Sequence, residues 1–166
     1  MNCPSCGAPM QLKADMESFK CAFCQSVYFP EKNDDGVRVL DEPAGQDCPL
    51  CNLPLTHAVL ANQRIVYCSG CHGMLIPMQA LEGLVEQLRP GQEAGAAPPA
   101  PDTDDLHRAV NCPQCHHPMD AHFYAGPGNV VIDSCEECSL IWLDRGKLAH
   151  IVQATASASA STSEWE

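Results

Sequence analysis

Short apolar runs recur along this chain at a fixed place, shortly after a C-x-x-C pair, and each run predicts a strand. Two longer segments predict β-hairpins, because β-branched residues there flank a turn signal. These segments are THAVLANQRIVY (56–67), with Asn62-Gln63 as the turn, and DAHFYAGPGNVVID (120–133), with the turn over 126–129. A more polar stretch, 11–20, is long enough for a smaller hairpin before the first run.

Helical periodicity follows the second and third apolar runs but not the first. The segment PMQALEGLVEQLR (77–89) has Pro77 near its first turn, where proline is favoured. The segment DRGKLAHIV (144–152) has Asp144 as its predicted N-cap. The apolar stripes of these two helices are Leu81, Leu84, Val85 and Leu88, and Leu148, Ile151 and Val152. Segment 30–47 predicts a loop with one short strand at 37–40, followed by a connector.

Two segments have compositions that oppose folding. RPGQEAGAAPPAPDTDD (89–105) is rich in proline, alanine, glycine and acidic residues, which is typical of a flexible linker. TASASASTSEWE (155–166) predicts a disordered tail, whose beginning extends the preceding helix in one interpretation. Trp165, between two glutamates, is either part of that tail or a short docking motif.

All twelve cysteines of the chain occur in C-x-x-C pairs, and the pairs form three sets of four. The inner cysteines of the sets are separated by 14, 16 and 19 residues. This spacing is typical of zinc sites with two cysteine knuckles joined by a hairpin. Each set opens with the same motif, C-P-x-C-x-x-P-[ML], at 3–10, 48–55 and 112–119. The sets are Cys3, Cys6, Cys21 and Cys24; Cys48, Cys51, Cys68 and Cys71; Cys112, Cys115, Cys135 and Cys138.

The repeat also aligns the residues that follow the fourth cysteine of each set. Val27, Met74 and Ile141 correspond, as do Tyr28, Leu75 and Trp142, then Phe29, Ile76 and Leu143, and finally Pro30, Pro77 and Asp144. One interpretation places Tyr28, Phe29, Trp142 and Leu143 in small cores, and the other makes them an exposed edge for a partner, since aromatic residues are favoured interface anchors.

Four thiolates can hold Zn²⁺ in a closed tetrahedral site, which predicts three structural zinc ions per chain. A catalytic zinc keeps an open position, so the sequence predicts no enzyme. Iron in a rubredoxin-like site is the alternative metal, because four thiolates also suit iron. Cysteines complete every set, so His116 and His117, which follow Cys115, are expected to be surface polar groups.

Residues 112–152 resemble the TFIIB-type zinc-ribbon family. The usual family motif after the last cysteine is close to Gly-Ile-Trp-Leu-Asp-x-Gly-Glu-Leu, and residues 140–148 keep most of it, with Leu140 and Lys147 replacing the glycine and glutamate. Residues 48–89 are similar, with Leu75 at the tryptophan position and Pro77 at the aspartate position. Residues 3–30 share only the ligands and knuckles. The resemblance implies a metal-stabilised ribbon fold, and its name denotes a structural likeness rather than a transcription role.

The charge of the chain opposes nucleic-acid binding. Nine Lys and Arg stand against 21 Asp and Glu, a net charge of −12. Three Zn(Cys)₄ sites would bring the charge to about −18, because each holds four thiolates around a divalent ion. Affinity for nucleic acid depends on clustered basic groups, and the basic residues here are scattered.

Together these features predict a small, metal-stabilised β-rich fold: three zinc ribbons, the second and third each followed by a short α-helix. The predicted units are ribbon 1 (1–30), a connector (31–47), ribbon 2 with its helix (48–89), a disordered linker (90–109), ribbon 3 with its helix (110–154) and a disordered tail (155–166). Without a membrane segment or signal peptide, the chain is expected in the cytoplasm. The predicted role is a non-enzymatic adaptor that binds another protein. The alternatives are a nucleic-acid-associated transcription factor and a thiol redox sensor that releases zinc.

Overall fold

A computed structural model of the chain describes residues 1–14, 18–91, 100, 103–125 and 128–161. Its strands are β1 (Met10–Leu12), β2 (Phe19–Cys21), β3 (Val27–Tyr28), β4 (Arg38–Asp47), β5 (Pro54–Leu60), β6 (Gln63–Tyr67), β7 (Met74–Pro77), β8 (Asp120–Phe123), β9 (Val131–Cys135) and β10 (Leu140–Leu143). Its helices are α1 (Met78–Leu88) and α2 (Lys147–Ser161), with short 3₁₀ turns at Arg89–Gly91 and Thr103–His107. None of the described helices is long and apolar enough to cross a membrane.

Each ribbon is a three-stranded antiparallel meander, formed by β1–β3, β5–β7 and β8–β10. The fold class predicted from the sequence is therefore confirmed, including the helices after ribbons 2 and 3. The β5–β6 hairpin turns at Ala61 and Asn62, with φ of 46° and 64°, one residue earlier than predicted. Two positive φ angles in a two-residue loop match the twist of the flanking strands. Gly126 and Pro127 of the other predicted turn lie outside the described residues.

Ribbons 2 and 3 share one seven-stranded sheet, in the order β4-β5-β6-β7-β10-β9-β8. The joint is the antiparallel pair β7–β10, in which Leu75 lies opposite Trp142. Met74 lies opposite Leu143 and Ile76 opposite Ile141. In the sequence repeat, Met74 corresponds to Ile141 and Ile76 to Leu143. Exchanging the two ribbons therefore converts each residue pair of this ladder into another pair of the same ladder. The two ribbons are thus related by an internal pseudo-twofold axis at the Leu75–Trp142 pair.

The two faces of this shared sheet have separate cores. On one face, β7 and β10 pack with both helices, whose buried residues include Leu81, Leu84 and Ile151. On the other face, Leu75 and Trp142 pack among the buried cysteines of ribbons 2 and 3. The apolar stripe of α1 therefore packs within the chain. Burial on both faces explains why the strands at the joint are apolar at nearly every position.

Trp142 fills the centre of the second core and packs on the main chain of ribbon 2. A Cβ atom added to Gly73 would lie 2.2 Å from Cζ2 of the Trp142 ring. In the repeat, Gly73 corresponds to Leu140 and Leu75 to Trp142. The contact between Trp142 and Gly73 thus involves two residues whose counterparts in the repeat are both leucines, Leu75 and Leu140.

The structure corrects the predicted organisation in several places. Ribbon 3 is not tethered apart from ribbon 2, because β10 completes the shared sheet. The predicted short strand at 37–40 is longer: β4 spans Arg38–Asp47 and pairs with β5, with two register shifts. The predicted disordered linker (90–109) contains an ordered 3₁₀ turn at Thr103–His107, and the helix of the predicted tail (155–166) runs to Ser161. Residues 92–99 and 101–102 of the linker, and Trp165, lie outside the described residues.

Ribbon 1 forms its own small sheet, β1-β2-β3, and contacts the larger sheet through one apolar cluster. Phe19 of β2 packs with Leu40 of β4 and Val59 of β5. The element directly after β3 is β4 and not a helix, so one face of this sheet lacks the cover that α1 and α2 give the other ribbons in the described part of the chain.

Candidate metal centres

The twelve cysteines lie in three groups of four, the groups that the sequence predicts. Within each group the sulfur atoms all lie within 4.8 Å of one another. Close sulfur pairs are separated by 3.4 to 3.6 Å. A disulfide needs about 2.05 Å, whereas sulfurs about 2.3 Å from one tetrahedral zinc ion lie about 3.8 Å apart. The spacing therefore suits a metal ion and excludes disulfides in this arrangement.

The knuckles share a backbone conformation that the sequence analysis missed. The residue after the second cysteine of every pair has a positive φ: Gly7, Gln25, Asn52, His72, His116 and Ser139 have φ of 54° to 75°. In five knuckles this residue donates its N–H to the carbonyl of the first cysteine, as Gly7 does to Cys3 at 2.8 Å. This turn brings both sulfurs of a pair to one side. Gly, Asn and His, which tolerate a positive φ better than most residues, were the available signal.

The first cysteine of every pair is buried, and the second is exposed or half-buried. Each centre thus has an inner side, where the sulfurs belong to the packed core, and an outer side that faces solvent. In ribbons 2 and 3 the inner sulfurs belong to one cluster with Trp142. The two centres of the shared sheet are therefore coupled through the same core.

Without a cation, the clusters do not release all their thiol protons. In ribbon 1, the Ser26 hydroxyl, 3.0 Å from the Cys24 sulfur, and the Ser26 amide lower the pKa of Cys24 to about 6. The Ala8 amide lowers the pKa of Cys6, but the neighbouring cysteine thiols outweigh this effect and raise it to about 12. Burial and neighbouring cysteines likewise raise the pKa of Cys138 to about 12. A divalent cation supplies the positive charge that allows four adjacent thiolates to form together.

The histidines beside the knuckles do not complete these sites. His116 occupies the positive-φ position of its knuckle. His117 pairs with Glu137 at the surface, and these two side chains form a fourth potential metal group with Cys115. Because Cys115 already belongs to the ribbon 3 centre, this group is an extension of that centre and not a separate one.

In contrast to His117 at the surface, His72 joins a polar cluster that holds the connector against ribbon 2. Its Nδ1 lies 2.8 Å from an Asp35 carboxylate oxygen and 2.7 Å from the Tyr67 hydroxyl. The Tyr67 hydroxyl donates to Asp35 at 2.9 Å and accepts from Asn33 at 3.0 Å. Burial and the Asp35 carboxylate raise the pKa of Tyr67 above its usual range.

Arg108 anchors the end of the linker to ribbon 3. Its guanidinium lies 2.7 Å from the buried Asp133 carboxylate and 2.9 Å from Asp144. The Lys147 Nζ forms ion pairs with carboxylate oxygens of Asp144 at 2.6 Å and Asp105 at 2.8 Å. Burial alone would raise the pKa of Asp144, but Lys147 and Arg108 outweigh burial and hold it below its usual value. Asp144 is therefore the acceptor of this ion cluster and not the predicted N-cap, since α2 begins three residues later at Lys147.

Comparison with known families finds a match for one of the three ribbons. Residues 111–154 match the model of the transcription factor zinc-finger family, the TFIIB-type zinc ribbon. The matched segment holds the four cysteines of ribbon 3 and most of the sequence that carries the resemblance. The resemblance to this family that the sequence motifs indicate is therefore confirmed. Comparison with curated proteins and with solved structures gives no match.

Proposed function

With ribbon 3 matching the TFIIB-type zinc-ribbon family, we propose that this chain is a zinc-binding, non-enzymatic cytoplasmic protein that acts as an adaptor by binding another protein. Two features support the proposal: three closed four-cysteine centres, and an exposed apolar surface on ribbon 1. The exposed surface is the observation that carries the adaptor role.

Zinc fits the three centres because the outer cysteines face solvent. Cys6, Cys24 and Cys51 are exposed, so a bound metal meets oxidants from the outside. Zinc has no redox chemistry of its own, whereas an exposed iron–thiolate centre changes oxidation state. Four sulfur donors leave no position for substrate or water, which favours a structural role over a catalytic one.

The ribbon 1 surface consists of Phe23, Val27 and Phe29. The exposed fractions of these side chains are 85%, 42% and 61%. The counterparts of Val27 and Phe29 in ribbons 2 and 3 lie in the core, so ribbon 1 exposes apolar positions that the other two ribbons bury. Exposed aromatic side chains are typical anchors of protein interfaces. We call these three residues the ribbon 1 surface.

Electrostatics favour a protein partner over nucleic acid. Among the described residues, Arg108 and Lys147 are already paired with carboxylates, and Arg64 pairs with Glu42 at 2.6 Å. The net charge of −12 repels a phosphate backbone.

Metal analysis of the purified chain tests the first half of the proposal. The expected result is three zinc ions per chain by elemental mass spectrometry, without the visible absorption of iron–thiolate centres. Removal of the metal by a chelator is expected to abolish the near-UV circular dichroism of Trp142, since folding and metal binding are coupled in small zinc domains. A folded, disulfide-bonded chain without metal would contradict the proposal.

Site-specific photo-crosslinking tests the adaptor role. A photo-reactive amino acid at Phe23 is expected to capture a protein in cells of the host. The same group at Glu86, an exposed position on α1, is the matched control. Equal or absent capture at the two positions would overturn the adaptor role.

A further inference from the structure

In the described part of the chain, the third strand of ribbon 1 has no partner strand on its outer edge, the edge at which the other two ribbons are joined. β3 is the third strand of its meander, as β7 and β10 are of theirs. β7 and β10 pair with each other, whereas β3 lies at the edge of the three-stranded sheet. Two of the three equivalent edges are thus paired within the chain.

The free edge of β3 matches the paired edges in register. Tyr28 lies opposite Phe19 of β2, as Leu75 lies opposite Val66 and Trp142 opposite Asp133. Because hydrogen-bonding groups alternate along an antiparallel strand, β3 presents its outer N–H and C=O groups in the same order as β7 and β10. Pro30 does not prevent pairing, since its counterpart Pro77 lies opposite Leu140 at the end of the β7–β10 ladder.

The side chains of residues 27–29 at this edge are apolar, as are those of the two paired strands. Val27 and Phe29 correspond to Met74 and Ile76, which are 4% and 0% exposed beneath the helices. Tyr28 corresponds to Trp142 and is half-buried against ribbon 1. An exposed apolar edge strand is a template for pairing with another strand.

Local charge permits two copies to approach at ribbon 1, although the whole chain is acidic. Residues 1–30 contain two lysines and two acidic residues, so their side-chain charges cancel. The acidic excess of the chain lies in residues 31–166. Self-repulsion is therefore smallest where β3 is exposed.

We propose that two copies of this chain associate by antiparallel pairing of β3 with β3, repeating between chains the pseudo-twofold joint of ribbons 2 and 3. The proposal rests on the proposed function in taking the ribbon 1 surface as an interaction surface, and it assigns Val27 and Phe29 of that surface to a second copy of the chain. In this pairing Tyr28 lies opposite Tyr28 of the second copy, and Val27 lies opposite Phe29. A twofold contact of this kind is self-complementary and closes at two subunits.

The register makes a charge test possible. In the variant with V27E and F29E, glutamates face glutamates across both pairs of the dimer. In the variant with V27K and F29E, lysine faces glutamate at both. Opposite charges stabilise cross-strand pairs and like charges destabilise them. Both variants lose the same apolar surface, so they differ only in the sign of one side chain.

Sedimentation velocity of the zinc-loaded full chain over a concentration series measures the result. The wild type is expected to reach twice the 17.9 kDa mass of the chain. The V27E/F29E variant is expected to dimerise at least about tenfold more weakly than the V27K/F29E variant. Zinc content and circular dichroism of each variant verify that ribbon 1 is folded. F123E changes an exposed apolar residue on the opposite edge strand, β8, and is expected to leave dimerisation unchanged.

A monomeric wild type, equal dimerisation of the two charge variants, or loss of the dimer in F123E would each overturn the pairing. Crosslinking at Phe23 separates this failure from failure of the adaptor role. A monomer that crosslinks to a different protein refutes only the self-association. A monomer without a crosslinked partner refutes both.

Discussion

Substitution of Gly73 by alanine tests the joint between ribbons 2 and 3. The new methyl group would lie 2.2 Å from Cζ2 and 2.7 Å from Cη2 of Trp142. These distances are well below van der Waals contact, and the Trp142 ring is 0% exposed. Since the surrounding core is filled, either the ring or the β7 backbone must shift. Overpacking of this kind is expected to lower the free energy of unfolding by about 1–3 kcal/mol.

The internal repeat suggests the compensating substitution. Ribbon 2 has Leu75 where ribbon 3 has Trp142, so Trp142→Leu introduces a side chain that an equivalent position already accepts. On its own, this substitution is expected to lower the free energy of unfolding, by less than the about 3–5 kcal/mol of a truncation to alanine. In the Gly73→Ala background, Trp142→Leu is expected to lower the free energy of unfolding by less, because it removes the clash between the new methyl group and the Trp142 ring. The expected coupling is about 1 kcal/mol.

Urea unfolding in a zinc-buffered solution, followed by circular dichroism, measures the four proteins of this cycle. The buffer holds free zinc constant, because metal binding contributes to the measured stability. Gly83→Ala is the matched control, since a Cβ atom at this position on α1 has no neighbour within 4 Å. It is expected to raise the free energy of unfolding by about 0.5–1 kcal/mol. Equal effects of the two alanines, or additive effects of Gly73→Ala and Trp142→Leu, would refute the described contact.

Two further predictions concern the metal centres and the linker anchor. Cys68→Ser is expected to release metal from both ribbons 2 and 3, because their inner sulfurs share one core, whereas Cys21→Ser is expected to leave two bound ions. Elemental analysis after gel filtration measures the number of ions that each variant retains. Retention of two ions by Cys68→Ser would contradict the coupling of the two centres. Arg108→Met removes the charge beside fully buried Asp133 and is expected to lower the free energy of unfolding by about 3–5 kcal/mol. Arg64→Met, at an exposed pair, is expected to cost under about 1 kcal/mol in the same urea assay, and a similar loss for both would refute the buried role of Arg108.

Local patterns predicted the small units of this fold well. Cysteine spacing identified the three ribbons, and apolar periodicity located α1 to within a residue at either end. These features depend on contacts between residues close in sequence, for which spacing is a direct record. The knuckle turns also depend on local sequence, but only four of their six positive-φ positions hold Gly, Asn or His; the other two hold Gln25 and Ser139, which give no such signal.

Contacts between distant segments were harder to predict. Arg108 lies in a stretch whose proline, alanine and acidic content indicates disorder, yet its guanidinium pairs with Asp133, 25 residues away. One long-range ion cluster is enough to order the end of a linker, and composition averages over such single residues. The strand β4 was underestimated for a similar reason: its alternate exposed residues and proline weaken the pattern, while pairing with β5 supplies the missing hydrogen bonds.

The joint between ribbons left a trace in the sequence that becomes clear from the structure. A strand with one solvated face alternates apolar and polar residues, whereas a strand covered on both faces is apolar throughout. The runs at 74–76 and 141–143 are apolar throughout, and the structure covers one face with helices and the other with the cysteine core. Ribbon 1 has an equally apolar run at 27–29, but the next element is β4 instead of a helix, and its Phe29 is 61% exposed. Because three equivalent edges cannot all pair within one chain, two of them form the internal joint. The third retains the composition of a paired strand, but its edge has no partner among the residues that the structure describes.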